Sequence, residues 1–316
     1  SPPKAGCLSS CAAPSGCISI PGWALSGMGQ DFYEQTETGR KVFDTASEIL
    51  GFSMPELCFE KNDRLDITEY TQPAMVTASL AMMKVLMEQT GIQPDAAAGL
   101  SLGEYPAMAA AGVMSAEDAI RTVRERGILM QEAVPAGIGA MAAVLAMDAE
   151  EIEKVIAPIE GVQIANYNCP GQIVISGKKE AVDEAAEKLK EAGAKRVIPL
   201  NVSGPFHSKM LTEAGEKLGK VLDTVEIHKP AIPYAANVTA AYVTEAEDVK
   251  PLLERQVSSS VRWEQTMRMM LADGVDTFIE IGPGKTLAGF MKKIDRSVRV
   301  INIEKLEDIE KVRELL

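Results

Sequence analysis

A serine between two glycines, in Gly99-Leu100-Ser101-Leu102-Gly103, is the spacing in this chain most suggestive of chemistry. A serine hydroxyl becomes a useful nucleophile when a sharp strand-to-helix turn presents it and a base removes its proton. The apolar run Ala96–Leu100 leads into the pattern and the helix-forming run Glu104–Ala111 leads out of it. Glycine on either side lets the backbone turn without a Cβ clash. The hydroxyl then stands above a helix N-terminus, where free N–H groups and the positive dipole end favour a developing oxyanion. The same residues also suit a plain serine at a helix N-cap, but the strand and helix around them favour the nucleophile.

Two histidines are available as its base, His207 and His228. His207 lies in the loop Ser203-Gly204-Pro205-Phe206-His207-Ser208 before a helix, the kind of loop that carries active-site groups on a rigid sheet. His228 lies in the charged approach Glu226-Ile227-His228-Lys229-Pro230 and reads as an ordinary surface residue. Imidazole titrates in the range such a base needs, and local context favours His207. Acidic residues are too numerous for spacing to single out a group that orients the ring. Arg126 is the third residue of interest. On a helix from Ser115 to about Ala133, Ile120, Val123, Gly127 and Met130 mark the inward face, and of three arginines Arg126 falls closest to it. Such a cation either snorkels to water or needs a buried partner.

These residues must be positioned by a scaffold. The chain has 316 residues, 46% of them apolar, enough for one large domain with a smaller insert. Strands alternate with helices, which indicates a mostly parallel sheet covered by helices. A helix starting at Thr71-Gln72-Pro73, with the proline in its first turn, runs to Gly91 and is apolar nearly all round. From residue 138 to 202 the order changes to βαββαβ, that of a ferredoxin-like unit. The expected architecture is a hydrolase-like α/β domain over 1–137 and 203–316, with a ferredoxin-like subdomain over 138–202.

Charge and cysteine usage narrow the function classes. A net charge of −13 argues against nucleic acid as a partner. No run of eighteen apolar residues suggests a membrane span. Five cysteines without a C-x-x-C pair read as free thiols of a reducing compartment, so the expected location is cytoplasmic. Two histidines are too few for a histidine-built zinc site.

Taken in order, the motifs resemble those of the malonyl-CoA:acyl carrier protein transacylases. The similarity runs from about Gly27 to the C-terminus. It covers Thr71-Gln72-Pro73-Ala74, Gly99–Tyr105, Arg126-Gly127 with Met130-Gln131, Asn166-Tyr167-Asn168 with Pro170-Gly171-Gln172, Gly204–Ser208, Asn237-Val238-Thr239 and Gly282-Pro283-Gly284-Lys285. The resemblance implies that Ser101 is acylated and His207 is its base. It implies that the backbone carbonyl of Gln256, after Arg255, orients His207. It also implies that Arg126 binds the free carboxylate of malonate and that the Leu102 N–H donates to the oxyanion. Malonyl-CoA and acyl carrier protein are the implied partners, without metal or bound cofactor. The Phe206-His207 pair is similar to that of malonyl-selective members.

Two departures stand out. The residue before the serine is Leu100, where histidine is frequent in the family. More seriously, the family's first strand leads into a P-G-Q-G-x-Q loop that supplies a second oxyanion N–H. Here Pro21-Gly22 is followed by Trp23-Ala24-Leu25-Ser26, and the family pattern resumes abruptly at Gly27-Met28-Gly29. A shifted reading frame or a sequencing error before Gly27 would give this; where the residues are the native ones, a backbone N–H does not require glutamine and that of Trp23 or Ala24 can serve. Residues Cys17–Ile20 read as a short strand ahead of that turn. Three other readings make distinct predictions. A serine hydrolase or thioesterase would orient His207 with an acid, and a non-catalytic carrier-binding protein would form no acyl-serine. The same acyl transfer could also serve polyketide rather than fatty-acid synthesis.

Overall fold

The computed structural model describes residues 4–9, 26–202 and 204–316. The Cys17–Ile20 strand, the Pro21-Gly22 turn and the N–H groups of Trp23 and Ala24 lie outside the described residues. Within them, the strands form two sheets. The larger contains β1 (Lys4–Ser9), β2 (Ala96–Gly99), β7 (Tyr234–Ala236), β8 (Ala241–Val243), β9 (Val275–Ile281) and β10 (Arg299–Ile303), in the order β10-β9-β1-β2-β7-β8. All neighbours are parallel except β7 and β8, which are antiparallel. Lys4–Ser9 carries no periodic strand signal, yet its backbone pairs with both β2 and β9.

The smaller sheet contains β3 (Gly139–Leu145), β4 (Val162–Cys169), β5 (Gln172–Lys178) and β6 (Arg196–Pro199), in the order β4-β5-β3-β6, antiparallel throughout. Helices Ala149–Ile156 and Lys179–Glu191 complete the βαββαβ sequence. Its apolar core is separate from those of the large sheet. Backbone bonds stitch the two parts together: Val261 N–H donates to Ala165 O and Tyr167 N–H to Val261 O. At the crossing, a Cβ on Gly139 would come within 2.4 Å of the Pro205 ring, so the entering and leaving chains touch there.

The helix Thr68–Thr90 is the buried pillar of the large core, apolar nearly all round and closed by Gly91 in the left-handed conformation. It begins one turn earlier than its proline suggested, so Pro73 lies inside it and not in its first turn. A proline cannot donate to the carbonyl four residues back. That carbonyl, Glu69 O, instead accepts from Arg124 Nη1 at 2.8 Å. Arg124 belongs to the helix Ala116–Glu132, whose start is capped by Ser115 Oγ accepting from Asp118 N–H. Gly127 lets the two helices meet, because a Cβ there would be 2.9 Å from Glu69 Cα. The close approach carries Arg126, one residue earlier, alongside Gln72.

Candidate active site

The site forms where the large sheet's parallel strands end. β2 stops at Gly99 and the chain turns through Leu100 into a 3₁₀ turn, Ser101–Gly103, followed by the helix Glu104–Ala110. A Cβ on Gly99 would sit 1.8 Å from Gly103 O, so this turn closes only over glycine. The positive φ falls on the serine itself, at 54°. A non-glycine residue held there costs about 1–3 kcal/mol and persists only when its surroundings hold it. The neighbouring strand supplies that hold. β7 ends beside β2, and Asn237 follows directly. Asn237 Oδ1 accepts from Ser101 N–H at 2.6 Å, while its Nδ2 donates to Gly99 O at 2.8 Å. Its own N–H donates to Glu104 Oε1 at 2.6 Å. Burial pushes the Glu104 carboxyl up to about 8, against the opposing pull of the Asn237 N–H and Arg126.

His207 reaches the serine from the loop after β6. Its Nε2 lies 2.8 Å from Ser101 Oγ. Its Nδ1 lies 2.9 Å from the backbone carbonyl of Gln256, the last residue of the helix Val249–Gln256. A carbonyl only accepts, so Nδ1 carries the proton and Nε2 is left to accept from the serine hydroxyl. Two further contacts fix the loop. His207 N–H donates to Val257 O at 3.0 Å, and β4 contributes Gln163, whose Nε2 donates to His207 O while its Oε1 accepts from Lys209 N–H. The ring is 1% exposed. Burial, reinforced by the nearby Arg126 charge, lowers the imidazole to about 4, although the Gln256 and Ser259 backbone bonds work against the shift. The ring is therefore neutral, and able to accept a proton, throughout the physiological range.

Arg126 is also 1% exposed. Its Nη1 donates to Gln72 Oε1 at 2.8 Å, and its Nη2 donates to Ser101 Oγ and Gln256 Oε1, both at 3.2 Å. Its guanidinium carbon lies 5.7 Å from the centre of the Tyr105 ring. Nε has no hydrogen-bond partner among the described residues. A buried orphan donor is costly unless a ligand supplies the acceptor, and a planar guanidinium suits a carboxylate.

The sequence-designated residues Ser101, His207, Arg126 and Gln256 thus meet in one buried cluster. Leu102 is the second residue of the 3₁₀ turn, where backbone N–H groups have no upstream carbonyl to bond. His228 is exposed and lies beside Glu226, away from the cluster. Where an acid-oriented histidine would have a carboxylate, His207 has Gln256 O. Four participants received no role from the sequence: Gln72, Asn237, Glu104 and Gln163. The first two stand in the Thr71-Gln72-Pro73 and Asn237-Val238-Thr239 motifs, and Glu104 directly follows Gly103. What each touches depends on strand and helix neighbours far away in the chain.

A parallel-sheet scaffold with a serine on a strained turn, a neutral buried histidine and a buried arginine is suited to acyl chemistry through the serine. The model of the acyl transferase domain family matches residues 22–310, and the chain belongs to that family. The malonyl CoA-acyl carrier protein transacylase of Bacillus subtilis (strain 168) is 49% identical over 289 residues, spanning 90% of this chain and 91% of that protein. Among solved structures, the malonyl CoA-acyl carrier protein transacylase of Clostridium perfringens superposes with a TM-score of 0.91 at 41% identity, over 98% of this chain and 96% of that one. A malonyl-transacylase in complex with its type II PKS acyl-carrier protein has a TM-score of 0.91 at 35% identity, covering 99% of each chain. The α/β fold with its two sheets is that of these enzymes.

Proposed function

We propose that the chain transfers the malonyl group of malonyl-CoA to the phosphopantetheine thiol of an acyl carrier protein through a malonyl ester of Ser101. The observation that carries this reading is the meeting of two groups on one oxygen. Ser101 Oγ lies 2.8 Å from His207 Nε2 and 3.2 Å from Arg126 Nη2. Malonate's carboxylate is two bonds from its acyl carbon, so an acyl group on Ser101 brings its carboxylate to the guanidinium.

In the first half-reaction Ser101 Oγ attacks the thioester carbon and its proton passes to His207 Nε2. The negative charge that develops on the carbonyl oxygen is met by the Leu102 N–H, in the role of an oxyanion donor. The tetrahedral adduct collapses, the C–S bond breaks, and the imidazolium returns the proton to the departing CoA thiolate. The second half-reaction reverses these steps. His207 takes the proton of the phosphopantetheine thiol, the sulfur attacks the ester, and Ser101 leaves with a proton from the imidazolium. Gln256 O holds the ring through Nδ1–H in both halves. Arg126 holds the malonyl carboxylate throughout, and a neutral acyl group leaves its Nε donor buried and unpaired. Sites built around such a partner reject analogues lacking it. The steps draw on no metal or prosthetic group.

The same reading describes residues 1–137 and 203–316 as a large hydrolase-like domain and residues 138–202 as a ferredoxin-like subdomain. The antiparallel order β4-β5-β3-β6 and its separate apolar core support the latter. The pathway served is fatty-acid synthesis, with polyketide synthesis as the alternative. The location is cytoplasmic, in keeping with the buried free thiols of Cys58 and Cys169.

Intact-protein mass spectrometry after mixing with malonyl-CoA tests the proposal, with Ser101→Ala as control. The expected result is one added malonyl group, absent in the variant and removed by acyl carrier protein. Consumption of malonyl-CoA without a lasting adduct would instead indicate a hydrolase. An inert protein that still binds acyl carrier protein would indicate a non-catalytic binder.

A further inference from the structure

Gln256 serves the histidine through its backbone, but its side chain meets three other parts of the site. Its Nε2 donates to Ser101 O at 2.9 Å and to Asn237 Oδ1 at 3.3 Å. Its Oε1 accepts from Arg126 Nη2 at 3.2 Å. The side chain therefore bridges the serine turn on β2, the strand-end residue of β7 and the arginine on the helix Ala116–Glu132. The residue is 1% exposed, so water does not substitute for these partners.

The bridge needs a donor at one end and an acceptor at the other. Ser101 O and Asn237 Oδ1 both demand a donor, and Arg126 demands an acceptor. A carboxamide supplies both without a charge. A carboxylate would set one of its oxygens against two acceptors and would pair with the arginine, occupying the charge that a substrate carboxylate needs. An aliphatic side chain would leave a buried carbonyl and a buried guanidinium donor short of partners. Gln72 Oε1 holds the other terminal nitrogen of Arg126 in the same uncharged way. Two neutral oxygens thus orient the guanidinium without forming an ion pair with it.

We propose that the Gln256 carboxamide is a positioning residue that fixes the Arg126 guanidinium to the serine turn, so that selection of a carboxylate-bearing acyl group depends on this side chain as well as on the arginine. The proposal rests on the malonyl-transfer reading. It separates two functions of one residue: the backbone carbonyl orients the base, and the side chain orients the specificity group. Any side-chain substitution keeps the carbonyl, so the two functions can be told apart.

The experiment compares wild type, Gln256→Met and Gln256→Glu. The kcat/KM for Ser101 acylation is measured with malonyl-CoA and with acetyl-CoA, and for the methionine variant across pH. Folding is checked by thermal melts, and the glutamate variant, which keeps the size of the side chain, carries the comparison if the methionine variant does not fold. Both donors are expected to lose rate through the loosened serine turn. The malonyl-to-acetyl ratio is expected to fall fivefold or more in both variants, and the acid limb of acylation in Gln256→Met is expected to move upward, because a loosened Arg126 charge depresses His207 less. A ratio within fivefold of wild type would overturn the proposal, since the side chain would then support only the turn. An unchanged ratio together with a shifted pH midpoint in Gln256→Met would also overturn it, because the side chain would then act through His207 alone. Failure of the wild-type protein to form malonyl-serine would refute the malonyl reading itself, a result distinct from both.

Discussion

Arg126→Ala is the substitution whose consequences the geometry defines best. The guanidinium is buried, so solvent does not replace what it gives a carboxylate. Hydrogen bonds involving a charged group contribute about 1.5–3 kcal/mol each. Two fork bonds to a malonyl carboxylate amount to roughly 3–6 kcal/mol, or about 10²- to 10⁴-fold in kcat/KM at ~1.4 kcal/mol per tenfold. An acetyl group makes neither bond, so acetyl transfer is expected to change by no more than a few-fold or to rise. A second effect follows from electrostatics. The Arg126 charge helps hold the His207 imidazole down at about 4, behind burial as the larger cause. Removing it is expected to move the acid limb of acylation upward, towards the ordinary histidine range. The assay is burst acylation of Ser101 with each donor, read by intact mass over a pH series. Equal losses with malonyl-CoA and acetyl-CoA would refute the carboxylate clamp.

Other outcomes follow from single contacts. In the wild-type protein the unprotonated imidazole is the active form and its pKa is depressed to about 4, so acylation is lost as pH falls through about 4 and stays level from about 5 to 7; a midpoint near 6.5 in a kcat/KM profile would contradict this. His207→Ala is expected nearly to abolish acylation while the exposed His228→Ala leaves it intact, and the reverse pattern would reassign the base. Gly99→Ala drives a Cβ to 1.8 Å from Gly103 O and is expected to abolish acyl-serine formation, whereas Gly289, within the helix Thr286–Ile294 and with open space around it, should accept alanine with a gain of about 0.5–1 kcal/mol in urea unfolding. Glu280 caps that helix from β9, accepting from Leu287 N–H, Ala288 N–H and Asn302 Nδ2. Glu280→Ala is expected to cost about 2–4 kcal/mol in the same measurement, since it leaves buried amides unpaired, and a cost under about 1 kcal/mol would show that the cap contributes little.

Much of this protein is written locally. The turn at Ser101 was legible because glycine spacing, an apolar run and a helix-forming run are neighbours in sequence, and backbone sterics act over that range. The βαββαβ unit was legible because hydrophobic periodicity marks each strand and helix separately, and the buried side of Arg126 followed from a helical wheel. Where one element begins against another is not local. The helix containing Pro73 starts at Thr68 because a distant arginine, Arg124, satisfies the carbonyl that the proline leaves free.

The strand Lys4–Ser9 has no periodic signal, and its pairing with β2 and β9 is a property of the sheet. The same holds for the site's supporting bonds. Spacing could offer two histidines but could not say which stands 2.8 Å from Ser101 Oγ. Composition could not reveal that a backbone carbonyl at Gln256 takes the place of an acid, because every residue carries such a carbonyl and only chain crossing aims this one. Side-chain type and short-range periodicity thus determined which groups were available. The ends of β2 and β7, the close approach at Gly127 and the loop pinned by Gln163 decided which of them meet, because hydrogen bonds act over about 3 Å and only the folded chain brings residues over a hundred positions apart within that distance.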